Sequence, residues 1–597
     1  MRRILTCALF LVCATPAFCQ LTQTQKVADF TALAALYDKN YGPYEWKRDT
    51  FGFDLLNIAP WLTQVQATKD DLSFYDVCVR YVASLQDSHD EFTLNADFEA
   101  FLPFTVDIYD GKVLVDFIDR SMLPSKTYPF QVGDQLVSVD GTTVADWITK
   151  LQPYAVNGSA NQVSRNRLAA SMIIDRYQGW YPFATQIGST ASVVIQRQGG
   201  NMETYVMPWQ IFGTPLGGDG PVPDPKTSAA FRGGSANVRQ TSQALRYHGR
   251  RSVREASAAV QPGKPPVPDY SDPLEKLRHM DHKHAVLTAG SIEPFDAIDP
   301  IFAPPAGFKL RLGSRSTDEF LSGIYPAGKL NIGFIRIYTM DPTSQTNALN
   351  QFLSEVTFFQ QNTDGLVIDL MGNGGGSICY TNTLLQMLIP TPFREVGFQL
   401  RATQSWVTSF SFVVTQAQLI GSPQYVIDIY KAYLAEVQKA QSQNRGTTGP
   451  LPLCGLSFEN IPPLKDSKGN NLAYTKPIVL LTDNFTLSAG ELFAATLQDA
   501  KRVTVYGTRT DGGGGSVVPF DTTPFSEGSA RVTLSLGIRA QNITSPGFPA
   551  APLIENIGVY PDVTADYMTV DNLKNGGTTF VNGFTTVISN LVTLGHP

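Results

Sequence analysis

At 597 residues the chain is too long for a single hydrophobic core, so two to four domains are expected. A formal net charge of −7, with 17% charged and 43% hydrophobic residues, describes an ordinary globular protein. No basic block marks it for nucleic acid, which excludes that class of partner. At the N-terminus, Arg2 and Arg3 precede an apolar run from Ile4 to Cys13 and then Pro16-Ala17-Phe18-Cys19-Gln20. This is the pattern of a secretory signal peptide over residues 1–19, cleaved before Gln20 with Ala17 at the −3 position. Lipidation at Cys19 is the weaker alternative, because Phe18 is bulky where such signals prefer small residues. No later stretch reads as a membrane span, so the mature protein is expected to be exported, to a periplasm or the extracellular space. Beyond Cys19, only Cys78, Cys379 and Cys454 remain, which is neither a disulfide framework nor a zinc pattern. One bridge between Cys379 and Cys454 is an option, and burial as small apolar residues is the other.

Residues 20–98 read as a helical domain. KVADFTALAALYDKNYGPYEWK carries apolar residues at helical spacing up to a Gly-Pro break. LSFYDVCVRYVASLQDSHDEF repeats the pattern, with Phe74, Val77, Tyr81 and Leu85 on one stripe. Residues 99–212 change to short strands separated by turn pairs such as Asp110-Gly111 and Asp140-Gly141. Within them, the run Gly133-Asp134-Gln135-Leu136-Val137-Ser138-Val139-Asp140-Gly141 resembles the strand-turn signature of PDZ domains. Such domains capture extended peptide ends by adding a strand to a sheet edge. A generic small β-domain is the alternative.

Residues 213–298 are rich in Gly, Pro, Ser, Ala, Arg and Lys, and read as a disordered linker or surface insertion. Arg250-Arg251 would be exposed there to proteases, including self-processing. His279-x-x-His282-x-His284 has a spacing that could hold a metal, but in a polar linker such histidines are more often solvated. From 299 to 597 strands alternate with helices, which argues for a sheet covered by helices, interrupted by an irregular region over 391–475.

Two stretches of this last part could carry chemistry. PIVLLTDNFTLSAGELF is a buried strand, a polar turn and the start of a helix, with Ser488 at the junction. A serine there lies beside free backbone N–H groups at the positive end of a helix, which suits a nucleophile whose attack creates an oxyanion. The same Ser488-x-x-Glu491 also fits a capping box, in which the serine only closes the helix end. GLVIDLMGNGGGS is a buried strand followed by a glycine loop. Ser377 replaces the last glycine of a dinucleotide fingerprint and the P-loop lysine is missing, so an oxyanion-binding role for Gly375 with Ala489 is the functional reading. Of six histidines, four fall in the linker and His596 is penultimate, so a histidine base must be His89.

In combination these stretches resemble the C-terminal processing (tail-specific) serine proteases. DLMGNGGG is similar to their D-L-R-x-N-x-G-G loop, TLSAGELFAATLQDAKRVTVYG to their S-A-S-x-S-E nucleophile segment, and IENIGVYPDV to their G-V-x-P-D segment. The family's serine–lysine dyad places the lysine twenty-five residues after the nucleophile, where this chain has Gly513. The chain is instead similar to the tricorn-core and chlamydial protease-like activity factor branch, which uses Ser-His-Glu with the histidine in a D-x-H segment, here LQDSHDEF. The resemblance implies an α/β, crotonase-like protease core with Ser488 as nucleophile, His89 as base and Glu555 as the acid. Asp87 is the rival orienting group. It implies protein or peptide substrates and no cofactor or metal, and a homodimer is compatible with it. The competing reading is a catalytically inactive protease fold that binds peptides or other ligands.

Overall fold

The computed structural model describes residues 20–216 and 297–595, apart from positions 159, 456, 522, 523 and 527. The signal peptide expected over 1–19, most of the linker expected over 213–298 with its basic pair and histidines, and His596 lie outside the described residues.

The runs Gly365–Asp369 and Ile478–Thr482 are buried at every position. Their residues divide with period two between two apolar clusters, as a strand covered on both faces requires. Leu366, Ile368, Ile478 and Leu480 pack with Phe352, Phe359, Leu384 and Phe493. Val367, Val479 and Leu481 pack with Phe580, Phe584 and Ile588. Helices Gln345–Asn362, Ile378–Gln386 and Ala489–Asp499 therefore cover one face, and Thr578–Leu594 covers the other. Each such side chain contributes about 2 kcal/mol on burial. The sheet has seven strands, in the order Lys309–Leu312, Leu321–Ala327, Leu330–Arg336, Gly365–Asp369, Ile478–Thr482, Thr504–Gly507 and Val563–Thr564. It is antiparallel over the first three and parallel from Leu330–Arg336 onward. The glycine loop and the turn before Ser488 leave the carboxyl ends of its central parallel strands.

Four helices precede it, Gln23–Asn40, Tyr44–Phe51, Ala59–Ala67 and Asp71–Ala83. Thr22 and Gln25 form a capping box on the first, and Asp70 caps the last. The stripe read from the sequence, Phe74, Val77, Tyr81 and Leu85, is buried throughout, although the helix stops at Ala83 and Leu85 lies in the turn beyond. The β-domain is an antiparallel sheet in the order Phe104–Tyr109, Lys112–Ile118, Gln135–Val139, Thr190–Gln196 and Met202–Pro208. Its Asp110-Gly111 and Asp140-Gly141 pairs both have positive φ, as tight hairpin turns demand. Helices and β-domain share one core, in which Phe74 and Val82 lie with Val106, Val139 and Ile195. Phe485 and Leu487 of the turn before Ser488 belong to that same core.

The region expected to be irregular, 391–475, holds strand Gly397–Leu400 and a helical hairpin, Gln404–Leu419 and Gln424–Ser442. The first helix, QSWVTSFSFVVTQAQL, is rich in β-branched and hydroxyl residues of low helix propensity, which hides it from sequence reading. Packing overrides propensity there: the Phe410 ring meets Tyr433 edge-on at 5.4 Å. Cys379 and Cys454 form a disulfide across 75 residues, which ties the first turn of helix Ile378–Gln386 to the segment after this hairpin. Cys78 is buried and free. Replacing both bridged cysteines by alanine should lower the unfolding free energy by about 2–4 kcal/mol. Denaturant unfolding with and without reductant checks this, and an unchanged midpoint would mean that the bond does not form.

Candidate active site

The strand Ile478–Thr482 delivers the chain into the turn Asp483–Leu487, and Ser488 follows at φ 56° and ψ −125°. This backbone is strained for a residue with a side chain. The Ser488 side chain makes no capping bond to the helix it precedes. Glu491 does not reach back to Ser488 either. Its Oε1 accepts the Gly512 N–H at 2.8 Å and its Oε2 accepts the Gly513 N–H at 2.8 Å. The capping-box alternative is therefore not what is built here. Burial, followed by the charge of Asp511, raises the Glu491 carboxyl to about 8.

The turn is zipped to the glycine loop of the neighbouring strand. Leu370 donates its N–H to Leu481 O at 3.0 Å, and Leu487 donates to Asn373 O at 2.9 Å. Asp483 Oδ1 accepts the Gly372 N–H at 2.9 Å, and Thr486 Oγ1 donates to Leu370 O at 3.1 Å. The root of the loop is Asp369, fully buried against Arg336 at 2.7 Å, whose other oxygen accepts the Met371 N–H. At the tip, Gly375 has φ 97°, and a Cβ there would lie 2.5 Å from Ser488 Cβ and 2.9 Å from Ala489 N. Only glycine allows this approach. The Gly375 N–H donates to Asn373 Oδ1 at 2.8 Å. The Ala489 N–H opens its helix and so has no intrahelical acceptor.

His89 lies in the turn after helix Asp71–Ala83, is 3% exposed, and donates its backbone N–H to Asp87 Oδ1 at 2.9 Å. Glu555 is fully buried and accepts Lys47 Nζ at 2.5 Å and the Gly514 N–H at 3.2 Å. Burial and the charge of Asp87 raise the Glu555 carboxyl, and Lys47 opposes them. The glycine run Gly512–Gly515 is the common wall of these parts. A Cβ at Gly513 would lie 2.4 Å from Leu487 Cδ1 and 3.6 Å from His89 Cε1. A Cβ at Gly514 would lie 2.9 Å from Glu555 N. Where the serine–lysine dyad has its lysine, the space is filled by Leu487 and His89. Asp87 is committed elsewhere, since its second oxygen accepts the Tyr41 hydroxyl at 3.1 Å.

Sequence reading missed Lys47, Asn373 and Asp483. Asp483 and Asn373 sit inside the quoted motifs and could have been suspected as loop fasteners. Lys47, between Trp46 and Arg48 on a short helix, carries no local signal at all. Among the described residues no group of three or more His, Cys, Asp or Glu is arranged to hold a metal ion, and no helix is long and apolar enough to cross a membrane.

Residues 331–565 match the model of peptidase family S41, and residues 98–215 match a PDZ domain. A protein of Chlamydia muridarum is 25% identical over 603 residues, covering 94% of this chain and 92% of its own length. A chloroplastic C-terminal processing peptidase of Tetradesmus obliquus is 26% identical over 240 residues, covering 40% of this chain and 36% of its own. Among solved structures, mature CPAF superposes with a TM-score of 0.69 at 20% identity, over 96% of this chain and 99% of the other. Residues 331–565 are thus a serine-type peptidase core of family S41, with a PDZ domain ahead of it, in a fold like that of mature CPAF.

Proposed function

We propose that the chain is an exported endopeptidase that cleaves extended or unfolded protein segments with Ser488, His89 and Glu555. The observation that carries this reading is the glycine run Gly512–Gly515, which bears at once on the turn before Ser488, on His89 and on Glu555. Among the described residues His89 is also the only histidine. Ser488 Oγ attacks the peptide carbonyl while His89 takes its proton, and His89 then protonates the leaving amine. Glu555 fixes the imidazole tautomer and stabilises the imidazolium. The oxyanion falls to the Ala489 N–H, and the Gly375 N–H joins it once Asn373 yields that donor. The β-domain captures the extended substrate, and export rests on the segment 1–19.

Ser488→Ala and His89→Ala should each abolish labelling by a fluorophosphonate probe and lower turnover of unfolded casein by at least about a thousandfold. Labelling retained in Ser488→Ala would remove Ser488 as nucleophile. Gly513→Ala should lose at least about tenfold in kcat/KM with its unfolding midpoint little changed, because the new methyl meets Leu487 beside His89. Activity of this variant equal to wild type would show that the wall does not position the base.

The Glu555 carboxyl must be ionised to hold the imidazolium, and its pKa lies above the ordinary carboxylate range. Activity is therefore lost as pH falls through that raised pKa. The value of kcat/KM should drop between about pH 8 and about pH 6. A profile flat to about pH 5 would exclude Glu555 from the triad.

A further inference from the structure

Lys47 sits on the helix Tyr44–Phe51 and is 0% exposed. Its ammonium has three N–H groups and all three are used. They go to Glu555 Oε1 at 2.5 Å, Asn556 Oδ1 at 2.6 Å and Gln86 O at 2.9 Å. The partners are themselves fixed. Asn556 Oδ1 also accepts Trp46 Nε1 at 3.0 Å, Asn556 Nδ2 donates to Gln86 O at 2.8 Å, and Arg509 donates to Asn556 O at 2.9 Å. Gln86, three residues before His89, and Asn556, next to Glu555, both have positive φ, at 52° and 60°. One lysine thus clamps the two segments that carry the base and the acid.

We propose that Lys47 is a positioning residue of the peptidase reaction, favouring the ionised form of Glu555 and aiming it while it locks the His89 turn against it. The inference rests on the Ser488, His89 and Glu555 reading. Its alternative is that Lys47 is only a structural tie. Stability alone is a weak reason for a buried ion pair, since apolar residues of similar volume often serve as well or better.

The groups facing Glu555 decide what the lysine does. From the His89 turn come Asp87 and Asp90. From the end of the first helix comes Tyr41, and from the wall the Gly514 N–H. Farther out, Glu91 faces Arg531 at 3.5 Å. Burial, then the charge of Asp87, pushes Asp90 well above the carboxylate range. Burial likewise keeps the Tyr41 hydroxyl protonated. What remains beside Glu555 is Asp87, Lys47, and an imidazolium that appears only during reaction. Burial and Asp87 already raise the Glu555 carboxyl and Lys47 opposes them, so without Lys47 it would hold its proton to still higher pH. A neutral carboxylic acid there cannot stabilise the imidazolium.

The test compares Lys47→Met, Glu555→Gln and the double variant with wild type, reading casein turnover and fluorophosphonate labelling from about pH 5.5 to about pH 9.5. Lys47→Met should lose at least about tenfold in kcat/KM at about pH 7 and recover most of it by about pH 9, an acid limb moved upward by about one unit or more. In the Glu555→Gln background, Lys47→Met should add less than about twofold, because both changes act through one group. The same loss at every pH with an unmoved midpoint would overturn the proposal, as would additive losses. If Lys47→Met alone does not fold, the neutral double variant is read instead. Activity equal to Glu555→Gln supports the role, and a further large loss overturns it. Wild-type protein without Ser488-dependent labelling would overturn the triad reading itself. Labelling that is present with an unmoved Lys47→Met profile overturns the role of Lys47 alone.

Discussion

Backbone touches backbone around Ser488, and the rest of the molecule is arranged to permit it. A Cβ at Gly375 would sit 2.5 Å from Ser488 Cβ, one at Gly376 2.3 Å from the Met340 carbonyl carbon, and one at Gly515 2.1 Å from Ser535 O. Side chains cannot enter such contacts, so the loops are fastened by polar groups brought in from outside. Asp483 holds Gly372, Asn373 holds Gly375, and Glu491 holds Gly512 and Gly513. Each fastener is buried, and each satisfies N–H groups that would otherwise be left without a partner.

This arrangement is costly in free energy. Ser488 is held in a strained backbone conformation, and so are Gln86 and Asn556. Burial lifts Glu491 to about 8 and Asp511 to about 7, so a neutral solution leaves carboxyl groups partly protonated in the interior. A raised carboxyl pKa adds stability at acid pH and withdraws it as pH rises through that value. The free energy that offsets these terms lies in the two apolar clusters on either side of the sheet, which contain none of the candidate chemistry except Ala489 beside Ser488. Rigid strands end at the loops and aim them.

Much of this was legible in the chain. The fully apolar runs at 365–369 and 478–482 read as buried strands, the glycine loop followed one of them, and counting histidines left only His89. These signals are local, and local physics produces them. The reading failed where tertiary packing supplies the reason. Helix Gln404–Leu419 forms against its own propensity because Phe410 and Val413 are buried in the core beside the next helix. Lys47 looks like any surface lysine of an N-terminal helix until Glu555, 508 residues away, is placed against it. Gly513 read only as a missing lysine, and became informative once Leu487 and His89 were seen to occupy the space beside it.

The division of the chain by composition also hides how the site is assembled. His89, Lys47 and Tyr41 lie in the stretch 20–98, whereas Ser488 and Glu555 lie in 299–597. The two stretches are joined by more than apolar contact. Strand Glu91–Thr93 pairs with Ser529–Thr533, Asp90 accepts the Thr533 N–H at 2.7 Å, and the Gly42 N–H reaches Thr533 O at 2.8 Å. Tyr37 donates to Arg531 O at 2.7 Å, and Asp29 accepts the N–H groups of Phe525 and Ser526. These bonds converge on the strands that follow the glycine wall, so the position of His89 relative to Ser488 is set by the same contacts that hold the N-terminal helices. An isolated core would keep Ser488, Glu555 and the glycine loops and would still lack both His89 and the Lys47 cation beside Glu555. On the proposed triad the N-terminal helices are therefore part of the site, and their docking is a precondition of its chemistry.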